Sequence, residues 1–144
     1  KEARDFLVEV LPAARYVFVG ADDAETVFEL SGASSAVLQG LRGLAPAATI
    51  ALTLGEAGCA ALDGATVWAP RRRYAVNVVD RVGAGDAFAA GFLWAMLTGR
   101  GPQVAVDAGT ALAALKCTIW GDIALVSHAE LDELMASDST EIRR

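Results

Sequence analysis

Apolar positions along this chain recur in two rhythms, a helical spacing of three to four residues and short continuous or alternating runs suited to strands. Residues 1–11 set Phe6, Leu7, Val10 and Leu11 on one helical face, which Pro12 ends. The run Tyr16-Val17-Phe18-Val19 before Gly20 predicts a fully buried parallel strand. Asp22 and Asp23 supply N-cap chemistry for a helix through Leu30. Residues 34–44 form a further helix, capped by the Ser34-Ser35 pair and closed at Gly43. Residues 49–54 read as a strand turned by Gly55-Glu56-Ala57-Gly58, and the alternation on either side of Asp63-Gly64 predicts a β-hairpin.

Further on, residues 74–79 form a β-branched run expected to pack as a buried strand. Residues 84–98 mix small and large apolar side chains, as in a helix buried on most of its surface. The break Thr98-Gly99-Arg100-Gly101-Pro102 precedes a second apolar helix over 103–116, with Val104, Ala108, Ala111, Leu112 and Leu115 at helical spacing. Residues 117–126 hold Gly121-Asp122 in a loop. His128 starts a last helix carrying Leu131, Leu134 and Met135, and a polar tail over 137–144 is expected to fray. Strands alternating with helices, interrupted by one hairpin, predict an α/β layered fold with a mostly parallel sheet.

The length of 144 residues suits one domain, and 54% apolar residues is high for a free-standing soluble one. No apolar run reaches a membrane span, and residues 87–97 are better read as a core helix. The excess predicts an apolar face covered by something else, or self-association. A net charge of −6 and a pI of about 4.7 argue against nucleic acid as a partner. Cys59 and Cys117 make neither a metal spacing nor a disulfide framework, and no signal peptide is visible, so a reducing cytoplasm is expected. A start at Lys1-Glu2-Ala3, inside a helical pattern and without Met, suggests truncation.

The chemistry concentrates in Asp80-Arg81-Val82-Gly83-Ala84-Gly85-Asp86, where a tight glycine turn opens a helix. Gly83 and Gly85 allow conformations closed to other residues and a close approach to a ligand. The first N–H groups of the helix lack intrahelical partners, and with the helix dipole they favour an anion, above all a phosphate. Asp86 conflicts with that charge unless it takes a proton from a substrate hydroxyl while the N–H groups stabilise a transferring phosphoryl group. The alternative makes Asp86 a first-turn acid that favours the dipole. A P-loop is excluded, because no Lys-Ser or Lys-Thr pair occurs, and Phe88 breaks a dinucleotide fingerprint. Arg71-Arg72-Arg73 reads either as a solvated loop or as a phosphate or acid-sugar contact. His128 reads as a surface residue, which leaves histidine base catalysis unsupported.

Residues 80–86 resemble the second signature of the ribokinase-like (PfkB) sugar kinases, Asp-Thr-x-Gly-Ala-Gly-Asp, and Ala87-Phe88-Ala89-Ala90-Gly91-Phe92 continues the likeness. Arg81 departs from the usual Thr, which leaves a turn built on backbone groups unaffected. Residues 114–124 are similar to a stretch typical of 2-keto-3-deoxygluconate kinases in that family. The resemblance implies a ribokinase-like fold, matching only its C-terminal half, with residues 1–136 as the ATP-binding, catalytic part. It implies transfer of the γ-phosphate of ATP to a sugar or sugar-acid hydroxyl, with Mg2+, Asp86 as base, and Gly83, Ala84 and Gly85 forming the anion hole with the Asp86 backbone. Thr53, Gly55 and Gly58 match its nucleotide-contacting turn, and Thr110 stands where a pocket Asn is usual. Its Asn-x-x-Glu motif falls on Asp22 and Glu25, so Glu25 is a candidate for the metal shell, or else a solvated helix carboxylate. The family's monovalent cation, K+, would lie near Asp80 and Val82 on backbone oxygens. An alternative is a truncated nucleotide-binding remnant with no catalytic activity of its own, since the family's sugar-binding residues lie in its first half.

Overall fold

The computed structural model describes residues 2–137, 139, 141 and 142. The expected helix start at Lys1 and tail positions Asp138, Thr140, Arg143 and Arg144 lie outside the described residues. The chain resolves into two compact units, residues 1–69 and 70–144.

In the first unit, helices α1 (Glu2–Val10), α2 (Ala21–Phe28) and α3 (Ser34–Leu44) accompany strands β1 (Tyr16–Gly20), β2 (Thr49–Thr53), β3 (Cys59–Asp63) and β4 (Thr66–Trp68). The strands form one sheet in the order β1-β2-β3-β4. Only β1 and β2 run parallel, with Val17 opposite Ile50; β2–β3 and β3–β4 are antiparallel. The α/β class holds, but the sheet is mixed rather than mostly parallel, because short glycine turns join successive strands from β2 onward. The expected hairpin is present, with Gly64 at φ 57° in its turn. β1 lies at an edge and buries Val17 fully while its other residues are half-buried, short of the full burial expected.

The core of this unit joins Phe28, Val37, Leu38, Leu41, Ile50, Leu52 and Leu62. Arg42 ties α3 to the sheet, donating to the carbonyls of Ala48 at 2.6 Å, Pro46 at 3.0 Å and Gly64 at 3.2 Å. The expected caps are absent: Gly20 and Ala33 hold the N-cap positions of α2 and α3 without side-chain bonds, and Asp22 and Asp23 lie inside the first turn. There they still favour the helix dipole. α3 ends at Leu44 as expected, with Ala45 rather than a glycine in the C-cap position. The apolar face of α1 is largely open, with Phe6 and Val10 exposed.

The second unit is helical: α4 (Ala84–Leu97), α5 (Pro102–Lys116) and α6 (His128–Ala136). Residues 74–79 do not form the expected strand; Ala75 makes a single bridge to Glu141, and Val78 and Val79 are exposed. A strand needs a backbone partner along its length, and among the described residues this unit contains no other named strand. α4 and α5 pack through small residues. A Cβ added at Gly91 would meet the Ala108 carbonyl oxygen at 2.7 Å, and one at Gly109 would meet the Phe88 ring at 2.9 Å. α5 and α6 share a smaller core of Ala111, Leu115, Leu131 and Leu134. Ser127 caps α6 in a reciprocal box with Glu130. Among the described residues no helix is long and apolar enough to cross a membrane.

The contact at Gly91 predicts that Gly91→Ala destabilises the chain, because overpacking against a rigid carbonyl costs about 1–3 kcal/mol against a helix-propensity gain of ~1 kcal/mol. Gly43→Ala on α3, where the new methyl meets nothing within 4 Å, should instead be neutral or stabilising by about 0.5–1 kcal/mol. Urea unfolding followed by circular dichroism compares the two.

Candidate functional site

The turn before α4 is shaped by Asp80. One carboxylate oxygen accepts from the Val82 N–H at 3.0 Å and the other from the Gly121 N–H at 3.0 Å. The Asp80 and Val79 N–H groups both donate to the Cys117 carbonyl, at 3.2 and 2.8 Å. Residues 79–82 and the loop after α5 are thus fastened together through one residue. Those two N–H bonds, Val82 first, hold the Asp80 carboxyl below its ordinary range, with a smaller contribution from the nearby Lys116 charge.

Gly83 follows with φ 80° and ψ 0°, a left-handed conformation, as the N-cap of α4. A side chain is excluded there for two reasons. The conformation is strained for other residues, and a Cβ would run into the Asp122 carbonyl oxygen. The Ala84 N–H donates to the Arg81 carbonyl at 3.1 Å and the Ala87 N–H to Gly83 at 2.9 Å. The N–H groups of Gly83, Gly85 and Asp86 take no acceptor among the described residues. Ala84 therefore contributes to the turn's geometry, with its own N–H already bonded. Nothing lies within 4 Å of where a Gly85 side chain would point, and Asp86 is exposed on the first turn of α4. Free donors, a helix N-terminus and an accessible carboxylate thus share one corner.

The other expected site residues belong to other elements. On α5, the half-buried Thr110 donates its hydroxyl to the Val106 carbonyl at 2.7 Å, so that oxygen can meet a ligand only as an acceptor. In the first unit, Gly55 (φ 58°) and Gly58 (φ 97°) shape the β2–β3 turn, closed by Leu54 N–H to the Gly58 carbonyl at 2.8 Å. Thr53 ends β2 with its hydroxyl 3.5 Å from the Val19 carbonyl. Glu25 is exposed on α2. Among the described residues no group of three or more His, Cys, Asp or Glu could hold a metal ion.

Two of the three arginines in the run are anchored. Arg71 is exposed yet pairs with Asp107 at 3.6 Å, and Arg72 donates to the carbonyls of Met135 and Ser137 at the end of α6. With Tyr74 and Val104 these residues line a cavity of about 120 Å³. His128 is exposed, edge-on to Trp94 with ring centres 4.6 Å apart.

Sequence reasoning missed one group. Lys116, at the end of α5, is fully buried, the only charged side chain so placed among the described residues. Its ammonium donates to the carbonyls of Asp80 at 3.0 Å and Ile119 at 3.1 Å. The Asp80 carbonyl, in the region where a monovalent cation was expected, thus already faces a positive charge. The visible signal was a lysine closing an otherwise apolar helix.

Known proteins agree with this architecture. The chain is 32% identical over 143 residues, 99% of its length and 45% of the relative's, to a 2-dehydro-3-deoxygalactonokinase from Haloferax volcanii. It is 47% identical over 70 residues to a fructoselysine 6-kinase from Escherichia coli, covering 47% of this chain and 26% of that one. The fold matches a 2-dehydro-3-deoxygluconokinase from Thermotoga maritima with a TM-score of 0.85 at 24% identity, over 94% of this chain and 45% of that one. An aminoimidazole riboside kinase from Salmonella enterica, solved with aminoimidazole riboside and an ATP analog, matches with a TM-score of 0.78 at 25% identity, over 94% and 47%. The chain thus spans about half the length, or less, of the relatives it matches. The model of the pfkB family carbohydrate kinases matches residues 1–129, and the chain belongs to that family.

Proposed function

We propose that this chain carries the ATP-binding and transfer part of a carbohydrate kinase whose acceptor is a 2-keto-3-deoxy sugar acid, 2-keto-3-deoxygluconate or its close relative. The observation that carries this reading is the juxtaposition of free N–H donors at Gly83, Gly85 and Asp86 with an exposed Asp86 carboxylate. The 32% identity to a 2-dehydro-3-deoxygalactonokinase supports the acceptor class. ATP as donor is supported by the family and by the neighbour solved with an ATP analog.

In this reading the γ-phosphoryl group is transferred to a primary hydroxyl of the acceptor. Asp86 accepts the hydroxyl proton as the oxygen attacks phosphorus, and the bond to the leaving ADP oxygen breaks. The free N–H groups and the positive helix end stabilise charge on the transferring group, needing little reorganisation because Gly83 is locked between its conformation and the Asp122 carbonyl. Mg2+ bound to the nucleotide phosphates would supply charge neutralisation at the transferring group. Glu25 is assigned to that ion's water shell, and Thr53, Gly55, Gly58 and the Thr110 oxygen to nucleotide contacts. Trp120, 80% exposed, and Ile123 and Leu125 beside it support self-association or contact with the rest of a longer kinase.

Asp86→Asn should lower kcat by about 10²–10⁴-fold with nucleotide affinity nearly intact. A coupled ADP-release assay beside ATP titration measures both in a protein that shows turnover, and unchanged turnover would defeat the base assignment. Binding of ATP by the wild-type chain without phosphate transfer to any sugar acid would favour the remnant reading.

Asp80 also makes stability depend on pH. Its folded pKa lies below the ordinary 3.8, so its contribution is complete above about pH 4 and is lost as pH falls through the folded value. In Asp80→Asn the amide turns a donor toward one of the two N–H groups. The stability gap between wild type and Asp80→Asn should therefore hold constant from about pH 8 to 5 and narrow in more acid solution. Chemical denaturation across that range gives the curve.

A further inference from the structure

A lysine without exposure needs a reason, because burying an ammonium is costly unless its donors are matched. The matching groups at Lys116 are two main-chain carbonyls, Asp80 at 3.0 Å and Ile119 at 3.1 Å, from the two segments that the Asp80 carboxylate also joins. Carbonyl oxygens from separate loops converging on one positive charge make the kind of ligand set that proteins present to an alkali cation. Here the charge is covalently attached to the last residue of α5, where the negative helix end favours it. The chain's other lysine is Lys1, so this one does not belong to a solvated basic surface.

We infer that Lys116 is a built-in cation that stands in for a free monovalent ion between the Asp80 turn and the 117–122 loop, and that the protein therefore neither binds nor needs K+ there. A K+ ion on the Asp80 carbonyl would lie within two contact distances of the ammonium, and like charges that close oppose joint occupancy. The tether also removes the dependence of a bound ion on its concentration. Through Asp80 and Ile119 the ammonium holds the loop that backs onto Gly83, which makes Lys116 a positioning residue for the anion hole. That last consequence rests on the kinase reading; the ion replacement rests on the two carbonyl contacts and on the ion that the family resemblance implies.

The test is thermal unfolding of the whole chain in KCl, NaCl and choline chloride at equal ionic strength. Wild type should melt at the same temperature in all three. Lys116→Ala, which opens space beside the two carbonyls, should melt lower in choline chloride and recover selectively in KCl by about 3 °C or more. Lys116→Met fills the same space without charge and should show the loss but not the K+ recovery. A K+-selective rise in the wild-type melting temperature would overturn the inference, as would a folded Lys116→Ala indifferent to K+. If neither variant folds, titration of wild type with Tl+, read by thallium NMR, decides: no site-specific binding supports the built-in cation and saturable binding refutes it. These readouts require no turnover, so a failed base assignment at Asp86 leaves them intact, and a K+ response in wild type leaves the kinase reading intact.

Discussion

The candidate site depends on one residue bonding in several directions. Asp80 accepts the Val82 and Gly121 N–H groups on its carboxylate, gives its own N–H to the Cys117 carbonyl, and offers its carbonyl to Lys116. Two loops that are each short of regular hydrogen bonding are thereby satisfied by one another. The consequence reaches Gly83, where the positive φ and the adjacent Asp122 carbonyl admit no side chain. A turn held in this way keeps its N–H groups aimed before any ligand arrives. That is the preorganisation that electrostatic stabilisation of a transferring group requires.

Behind the turn, the α4–α5 pair explains why so many small residues are grouped here. Gly91 faces the Ala108 carbonyl and Gly109 faces the Phe88 ring, so two helix backbones approach more closely than ordinary side chains permit. Phe88 and Phe92, 6.0 Å apart between ring centres, and Ala95 fill the space that remains. The close approach carries the start of α4 and the end of α5 in one rigid pair. Lys116 and Gly83 consequently keep their registry through packing as well as through hydrogen bonds. An apolar composition of 54% is partly a product of this helix pair and partly of side chains left open, Trp120 and Leu125 among them.

Local signals read well where the chain decides its own conformation. The glycine turn, the helix from Ala84, the α5 pattern, the Asp63-Gly64 hairpin and the start of α6 at His128 were all legible because spacing and turn chemistry act over a few residues. The strand expected over residues 74–79 was not formed, since β-branched residues favour extended backbone but cannot supply a pairing partner. The caps expected at Asp22 and Ser34 failed for a related reason: the residue that enters the helix is set by the preceding chain path, which placed Gly20 and Ala33 there. Sheet direction was misjudged because a continuous apolar run suits either neighbour orientation.

What the order of residues determined alone is the glycine turn, the acid on the first turn of α4, and the family to which both belong. These are local properties of Gly83, Gly85 and Asp86 and need only short-range sterics. What folding in three dimensions decided is which polar groups are left over: the Ala84 N–H is bonded within the turn, the Thr110 hydroxyl to its own helix, and a buried ammonium to the Asp80 carbonyl. Hydrogen-bond partners at long sequence separation, such as Lys116 with Asp80, are chosen by packing. A one-dimensional pattern carries no record of that choice.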